Sequence, residues 1–231
     1  RHSGRLRKIR NASESMPQIG QAKQVFMARR LGENIITNPG AETDQVEAAE
    51  GKLAAARVVS AWESTESNTP VLVQPWNGYS IDEGDHLPVP ENAGANYFLH
   101  GTIGDVAVRT TLRQEIDLRR LRSAIGKAAR YHLSAWIGGW KKQKDEARVR
   151  IVFLDADGKE LGEDTLGPVN AADRDSKNGM RQRQSEDQVP VGSRKVVVEM
   201  IFDKEKGGSV SDAAIDLLKL VIEKKQTDSG S

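Results

Sequence analysis

At 231 residues, with 37% hydrophobic and 29% charged residues, the chain has room for one large domain whose core is flanked by polar loops and termini. Its formal net charge of +1 gives no bulk attraction to nucleic acid or to an anionic membrane. The absence of cysteine excludes disulfides, thiolate nucleophiles and Cys-based zinc sites, and no apolar run reaches the length of a membrane span.

The chain starts with Arg rather than Met, which suggests a processed or trimmed start from which a leader has been removed. Residues 1–33 read as an N-terminal arm without its own core: Arg1, Arg5, Arg7, Lys8 and Arg10 cluster at its start, and Val25, Phe26 and Leu31 are its apolar anchors. Next, NIITNPGAETD reads as a short strand ending in a Pro-Gly turn and an acidic loop. QVEAAEGKLAAARV suits a helical turn or two, interrupted by Gly51, and VVSAWES suits a strand carrying Trp62. From Ser64 to Gly94 the chain is rich in loop residues, with Pro70, Pro75, Pro88 and Pro90 beside Trp76 and Tyr79, and long loops are where binding residues concentrate.

The second half is more regular. ANYFLHG and VAVRTTLRQEIDL alternate as strands do, and LRRLRSAIGKAAR has helical spacing at Leu118, Leu121, Ile125 and Ala129. In YHLSAWIG, Tyr131, Leu133, Ala135 and Ile137 oppose His132, Ser134 and Trp136; Gly138 and Gly139 then release the chain into a charged loop beside Trp140. In ARVRIVFLD, Val149, Ile151 and Phe153 share one face, opposite Arg148, Arg150, Val152 and Leu154. The segment from Gly162 to Gly192 is strand-like at its ends with a polar middle, and SRKVVVEMIFDK is a strand with Val196, Val198, Met200 and Phe202 on one side. The last element, SDAAIDLLKLVIEKK, fits a helix by propensity and a buried strand by its apolar run. Residues 226–231 read as a C-terminal tail.

Weighed as chemistry, Asp155-Ala156-Asp157-Gly158 lacks the further ligands of an EF-hand loop and reads as a hairpin turn. His2, His86, His100 and His132 share no metal-ligand spacing, and no nucleophile elbow, phosphate loop or zincin motif is present, so the expectation is a protein that is not an enzyme. Trp62 and Trp136, in strand-like sequence, are expected in the core. Trp76, Tyr79 and Trp140, in or beside loops, are the candidate ligand platform, because flat aromatic faces stack on sugar rings while nearby polar groups bind the hydroxyls.

NPGAE, YFLHG, LRQEIDL, YHLSAWIGGW, VRIVFLDADGKELGEDTLGPVNAADR, VPVGSRKVVVEMIF and AAIDLLKLVI occur in an order that resembles the secreted bacterial galactose-binding-like β-sandwich domains, relatives of carbohydrate-binding modules. The resemblance covers roughly Asn34 to Glu223 and implies an all-β, jelly-roll-like antiparallel β-sandwich over residues 34–225, with a short helix and the extended N-terminal arm, and with the last segment as a strand. It implies a glycan or cell-surface polysaccharide as partner, and a structural calcium held by Glu42 of the opening turn and Asp216 of the closing strand. Similar domains often carry a second Asp or an Asn after that Asp, where this chain has Leu217; Asp212 is the upstream substitute. The rival expectation is a structural subunit of an extracellular or viral-type assembly, joined to its partner through residues 1–33.

Overall fold

A computed structural model describes residues 30–44, 59–65, 71–76, 86–101, 104–105, 107–207 and 210–225. Tyr79, residues 1–29 of the arm, residues 226–231 of the tail and the expected helical turns of residues 45–58 lie outside the described residues. Ten strands are described: β1 (Glu63–Ser64), β2 (Leu72–Pro75), β3 (Asn96–Leu99), β4 (Val108–Asp117), β5 (Arg130–Gly139), β6 (Glu146–Leu154), β7 (Glu160–Leu166), β8 (Gly179–Gln188), β9 (Lys195–Lys204) and β10 (Ala214–Glu223). Between β4 and β5 a single 3-10 turn at Arg119–Leu121 runs into the four-residue helix α1 (Arg122–Ile125).

The strands form two five-stranded sheets, ordered β1-β4-β9-β6-β7 and β2-β3-β10-β5-β8, and every pairing between strands is antiparallel. Period-two alternation explains how they close on each other: Val149, Ile151 and Phe153 of β6 and Val196, Val198, Met200 and Phe202 of β9 meet Tyr131, Leu133, Ala135 and Ile137 of β5 in one buried core. The expected β-sandwich with one short helix is therefore what the chain forms. Trp62 is buried in that core as expected, edge-on to Phe98 with centroids 6.1 Å apart, although it precedes the two-residue strand β1 instead of lying within a strand.

The ambiguous last segment is a strand, and a central one: β10 pairs with β3 on one side and β5 on the other. Burial on both faces favours an almost continuous apolar run, which is why helix propensity did not decide its state. Segment 30–44 makes a single bridge to β10, Asn34 to Val221, instead of the expected short strand. Gly138 and Gly139 are the last two residues of β5, still paired with Met180 and Gly179, and the chain leaves the strand after them as expected. A Cβ on Gly138 would overlap the Gly179 carbonyl, so this glycine serves the close approach of β8. The polar middle of the 162–192 segment is largely β8, an edge strand paired only with β5. Asp155–Gly158 is the turn of the β6–β7 hairpin, with Asp155 Oδ1 accepting the N–H groups of Asp157 and Lys159 and Gly158 at φ +83°.

Candidate functional site

The opening turn is fixed by side chains that replace backbone partners. Asn38 donates to Asp44 Oδ2 (2.8 Å) and to the Ser60 carbonyl, accepts the Thr43 N–H, and through its own carbonyl accepts the Trp62 indole N–H. This holds Glu42 against β3, where its carboxylate accepts the N–H groups of Ala95 and Asn96 (2.8 Å for Asn96). Gly94, at φ +70°, allows the approach; a Cβ there would come 2.6 Å from the Glu42 carboxyl.

Asp216 comes to the same turn through a β-bulge. The ladder with β5 slips by one residue between Asp216 and Lys219, with Leu217 at φ 50°, and the opened backbone lets the Leu218 N–H reach the Pro39 carbonyl. Asp216 Oδ1 accepts the Leu217 N–H (2.6 Å) and Oδ2 accepts the Trp76 indole N–H (3.0 Å). A Cβ on Gly40 would lie 2.9 Å from Asp216 Oδ1 and 3.9 Å from Glu42 Cγ, so glycine alone leaves space for the two acids to converge. Burial pushes the Asp216 carboxyl up to about 8; the Leu217 and Trp76 N–H groups oppose this, and the charge of Glu42 adds to it.

This pair fits the hard-oxygen chemistry of calcium in one respect: Asp216 Oδ1 and the Glu42 side chain border the same Gly40 position, and no Lys or Arg forms a salt bridge with either among the described residues. No cluster of three or more His, Asp or Glu suited to a metal occurs among the described residues, so carbonyl or water oxygens would supply the remainder of a shell. Asp212, the upstream substitute, sits elsewhere, with Asp145, Gln143 and Lys204 as its electrostatic neighbours; burial, reinforced by Asp145, raises its carboxyl to about 6.

The outer face of the β2-β3-β10-β5-β8 sheet carries a second apolar cluster. Leu72, Tyr97, Leu99, Met180 and Ala214 are buried there, with Trp76 and Trp136 packed against them and each half-buried. Trp76 lies on Tyr97 with centroids 4.7 Å apart. Trp136 was expected in the core; it is directed outward instead, because Tyr131, Leu133, Ala135 and Ile137 take the inward positions of β5. Its cross-strand partners are Asp216 on β10 and the exposed Gln182 on β8, and the next outward row brings Ser134 beside the exposed Gln184. The face thus combines two accessible indoles with amide and hydroxyl groups. Trp140 follows β5 directly, half-buried, with the Lys141 ammonium 5.4 Å from its ring centroid.

The opposite outer face has a different character. On β4, β9, β6 and β7 the cations and acids alternate and pair: Arg109 and Arg148 share Asp203, Arg148 also meets Glu146, and Arg150 bridges Glu163 and Glu199. Its charges are neutralised within the sheet, and it displays no tryptophan. The two outer faces are therefore chemically distinct, and the aromatic one is the candidate site.

No family model and no curated protein matches the sequence. Solved structures do. The enzymatically active domain of tailspike protein 4 of bacteriophage CBA120 is 16% identical at a TM-score of 0.51, over 82% of this chain and 21% of that one. The CBM22-1 xylan-binding domain of Paenibacillus barcinonensis Xyn10C is 11% identical at a TM-score of 0.41, over 74% and 91%. The C-terminal family 22 carbohydrate-binding module of Clostridium thermocellum Xyn10B is 12% identical at 0.40, over 79% and 96%. The likeness is one of fold. The expected antiparallel β-sandwich is shared with that tailspike domain at the level of fold, and the chain spans about a fifth of the tailspike chain it matches. No helix among the described residues is long and apolar enough to cross a membrane.

Proposed function

We propose that the chain is a non-catalytic, extracellular glycan-binding module whose ligand lies on the outer face of the β2-β3-β10-β5-β8 sheet. The observation that carries this reading is the pair of half-buried indoles, Trp76 and Trp136, beside the exposed amides of Gln182 and Gln184. An indole face desolvates the C–H side of a pyranose ring, while neutral amides and the Ser134 hydroxyl exchange hydrogen bonds with its hydroxyls. Trp140, at the end of β5, extends this platform. A calcium ion held by Glu42 and Asp216 is part of the same proposal: it would neutralise the buried carboxylate of Asp216 and the exposed one of Glu42 and tie the opening turn to the closing strand. A glycan-array screen of the wild type against Trp76→Ala, Trp136→Ala and Trp140→Ala tests the binding reading: wild-type hits lost in the first two support it, and a wild type without hits overturns it.

A second reading has its own support. The fold is shared with part of a phage tailspike, and residues 1–33 carry a basic cluster at their start and a few apolar anchors without a core of their own, which suits a building block joined to a neighbour through its arm. Light-scattering mass with and without residues 1–33 separates the two: an oligomer that falls to a monomer on truncation favours assembly, and monomers in both cases remove it.

A further inference from the structure

We infer that Asp216 and Glu42 couple the cation site to the aromatic face, so that a divalent cation held by these carboxylates sets the position of Trp76. The inference rests on the calcium proposal above and adds a consequence for the ligand platform. Two separate connections carry it.

The first runs through the side chain. One carboxylate serves both regions: Asp216 Oδ1 is directed at the turn that carries Glu42, 2.9 Å from where a Gly40 Cβ would sit, while Oδ2 accepts the Trp76 indole N–H at 3.0 Å. A carboxylate is planar and rigid, so a cation that draws Oδ1 toward Glu42 rotates or translates Oδ2, and the indole follows its acceptor. The second connection runs through the backbone. Glu42 accepts the Asn96 N–H at 2.8 Å, and the Ala95 carbonyl of that same peptide unit accepts the Trp76 N–H at 2.9 Å, which links the other carboxylate to the main chain of Trp76. Trp76 is thus held at its backbone by one acid's neighbour and at its ring by the other acid.

A cation shared by Asp216 Oδ1 and Glu42 would draw both side chains toward the Gly40 turn. Trp76 rests on Tyr97 within the outer cluster, so its displacement alters the surface offered to a ligand. Coupling of this kind is reciprocal, and a ligand that selects the cation-bound position of Trp76 raises cation affinity by the same factor. Asp216 and Glu42 are then positioning residues for the platform without touching the ligand.

The test follows the indole N–H itself. The chain has four tryptophans, so the indole resonances of the 15N-labelled, metal-free protein are assigned by single Trp→Phe variants, and calcium chloride is added while calorimetry records whether calcium binds. The expected result is a Trp76 indole resonance that moves with calcium occupancy while that of Trp140 stays in place. In Glu42→Gln, which lacks one of the two charges but leaves the Trp76–Asp216 hydrogen bond intact, the Trp76 resonance stays at its metal-free position. Calorimetric binding with a Trp76 resonance that moves no more than that of Trp140 overturns the coupling and leaves the calcium site standing. Absence of calorimetric binding overturns the calcium proposal and the coupling with it. Neither readout depends on glycan binding.

Discussion

His100 makes the acid stability of the sandwich a quantitative matter. Its side chain is fully buried, with Nδ1 2.9 Å from Ser211 Oγ, Nε2 3.0 Å from Thr110 Oγ1 and its ring 5.7 Å from that of Phe202. A neutral imidazole uses one nitrogen as donor and the other as acceptor, and two hydroxyls satisfy either tautomer. Burial lowers the ring from 6.5 to about 4; nearby Asp203 opposes this and Lys204 adds to it. Above pH 6.5 the ring is neutral in both folded and unfolded chains, and the stability associated with it is fully present. As the pH falls from 6.5 to about 4, the unfolded chain takes up a proton that the folded chain refuses, and stability is lost. A displacement of this size corresponds to roughly 3 kcal/mol, a large share of a domain's net stability. Asp212, whose folded carboxyl is raised to about 6, acts in the opposite direction as the pH falls through that value, so the comparison must isolate the histidine. His100→Gln retains an amide donor and acceptor but does not titrate. Urea-unfolding free energies measured between pH 7 and pH 4 are expected to fall more steeply in the wild type than in His100→Gln, with the gap between them closing toward pH 4. Parallel curves across that range would refute the reasoning.

Other consequences follow from the same contacts. If Glu42 and Asp216 hold calcium, millimolar calcium raises the melting temperature of the wild type but not of Glu42→Gln, and chelation reverses the gain; equal melting curves with calcium and with chelator remove the site. Gly138→Ala places a methyl group against the Gly179 backbone, so the β5–β8 edge must separate; faster hydrogen exchange at Met180 and Gln182 than in the wild type is expected, and unchanged exchange contradicts the close approach. Arg150→Ala removes contacts with Glu163 and Glu199 on the charged outer face, where side chains remain partly solvated; the expected loss is below about 1 kcal/mol, and a loss of several kcal/mol would show that this face does more than stay in solution.

The sequence made the sandwich legible wherever one strand face was buried and the other was not. β5, β6 and β9 show this alternation, and their inward residues are those expected. β8 was harder to see, because an edge strand with polar residues on much of its surface has little apolar period to display. β10 is ambiguous for the opposite reason: burial of both faces leaves a run compatible with a helix, and the resemblance decides for the strand that the structure shows. The convergence of Glu42 with Asp216 came from family resemblance; no local pattern records that a bulge at Leu217 opens β10 toward the Pro39 carbonyl. Trp136 was misplaced because alternation shows that two faces differ without saying which one faces the other sheet for a large aromatic residue. Its pairing with a strand of exposed Gln182 and Gln184 was the available signal, and it required knowing that β5 and β8 are neighbours.

On the proposed function, the outward tryptophans of the β2-β3-β10-β5-β8 sheet bind a glycan. Isothermal titration of the strongest array ligand into the wild type, Trp136→Ala and Arg150→Ala tests it most directly, since each variant alters one outer face. Loss of an indole stack of about 1.5 kcal/mol predicts an affinity at least about tenfold weaker in Trp136→Ala, with Arg150→Ala binding like the wild type. Wild-type affinity in Trp136→Ala together with lost affinity in Arg150→Ala would contradict the account and move the ligand to the other sheet.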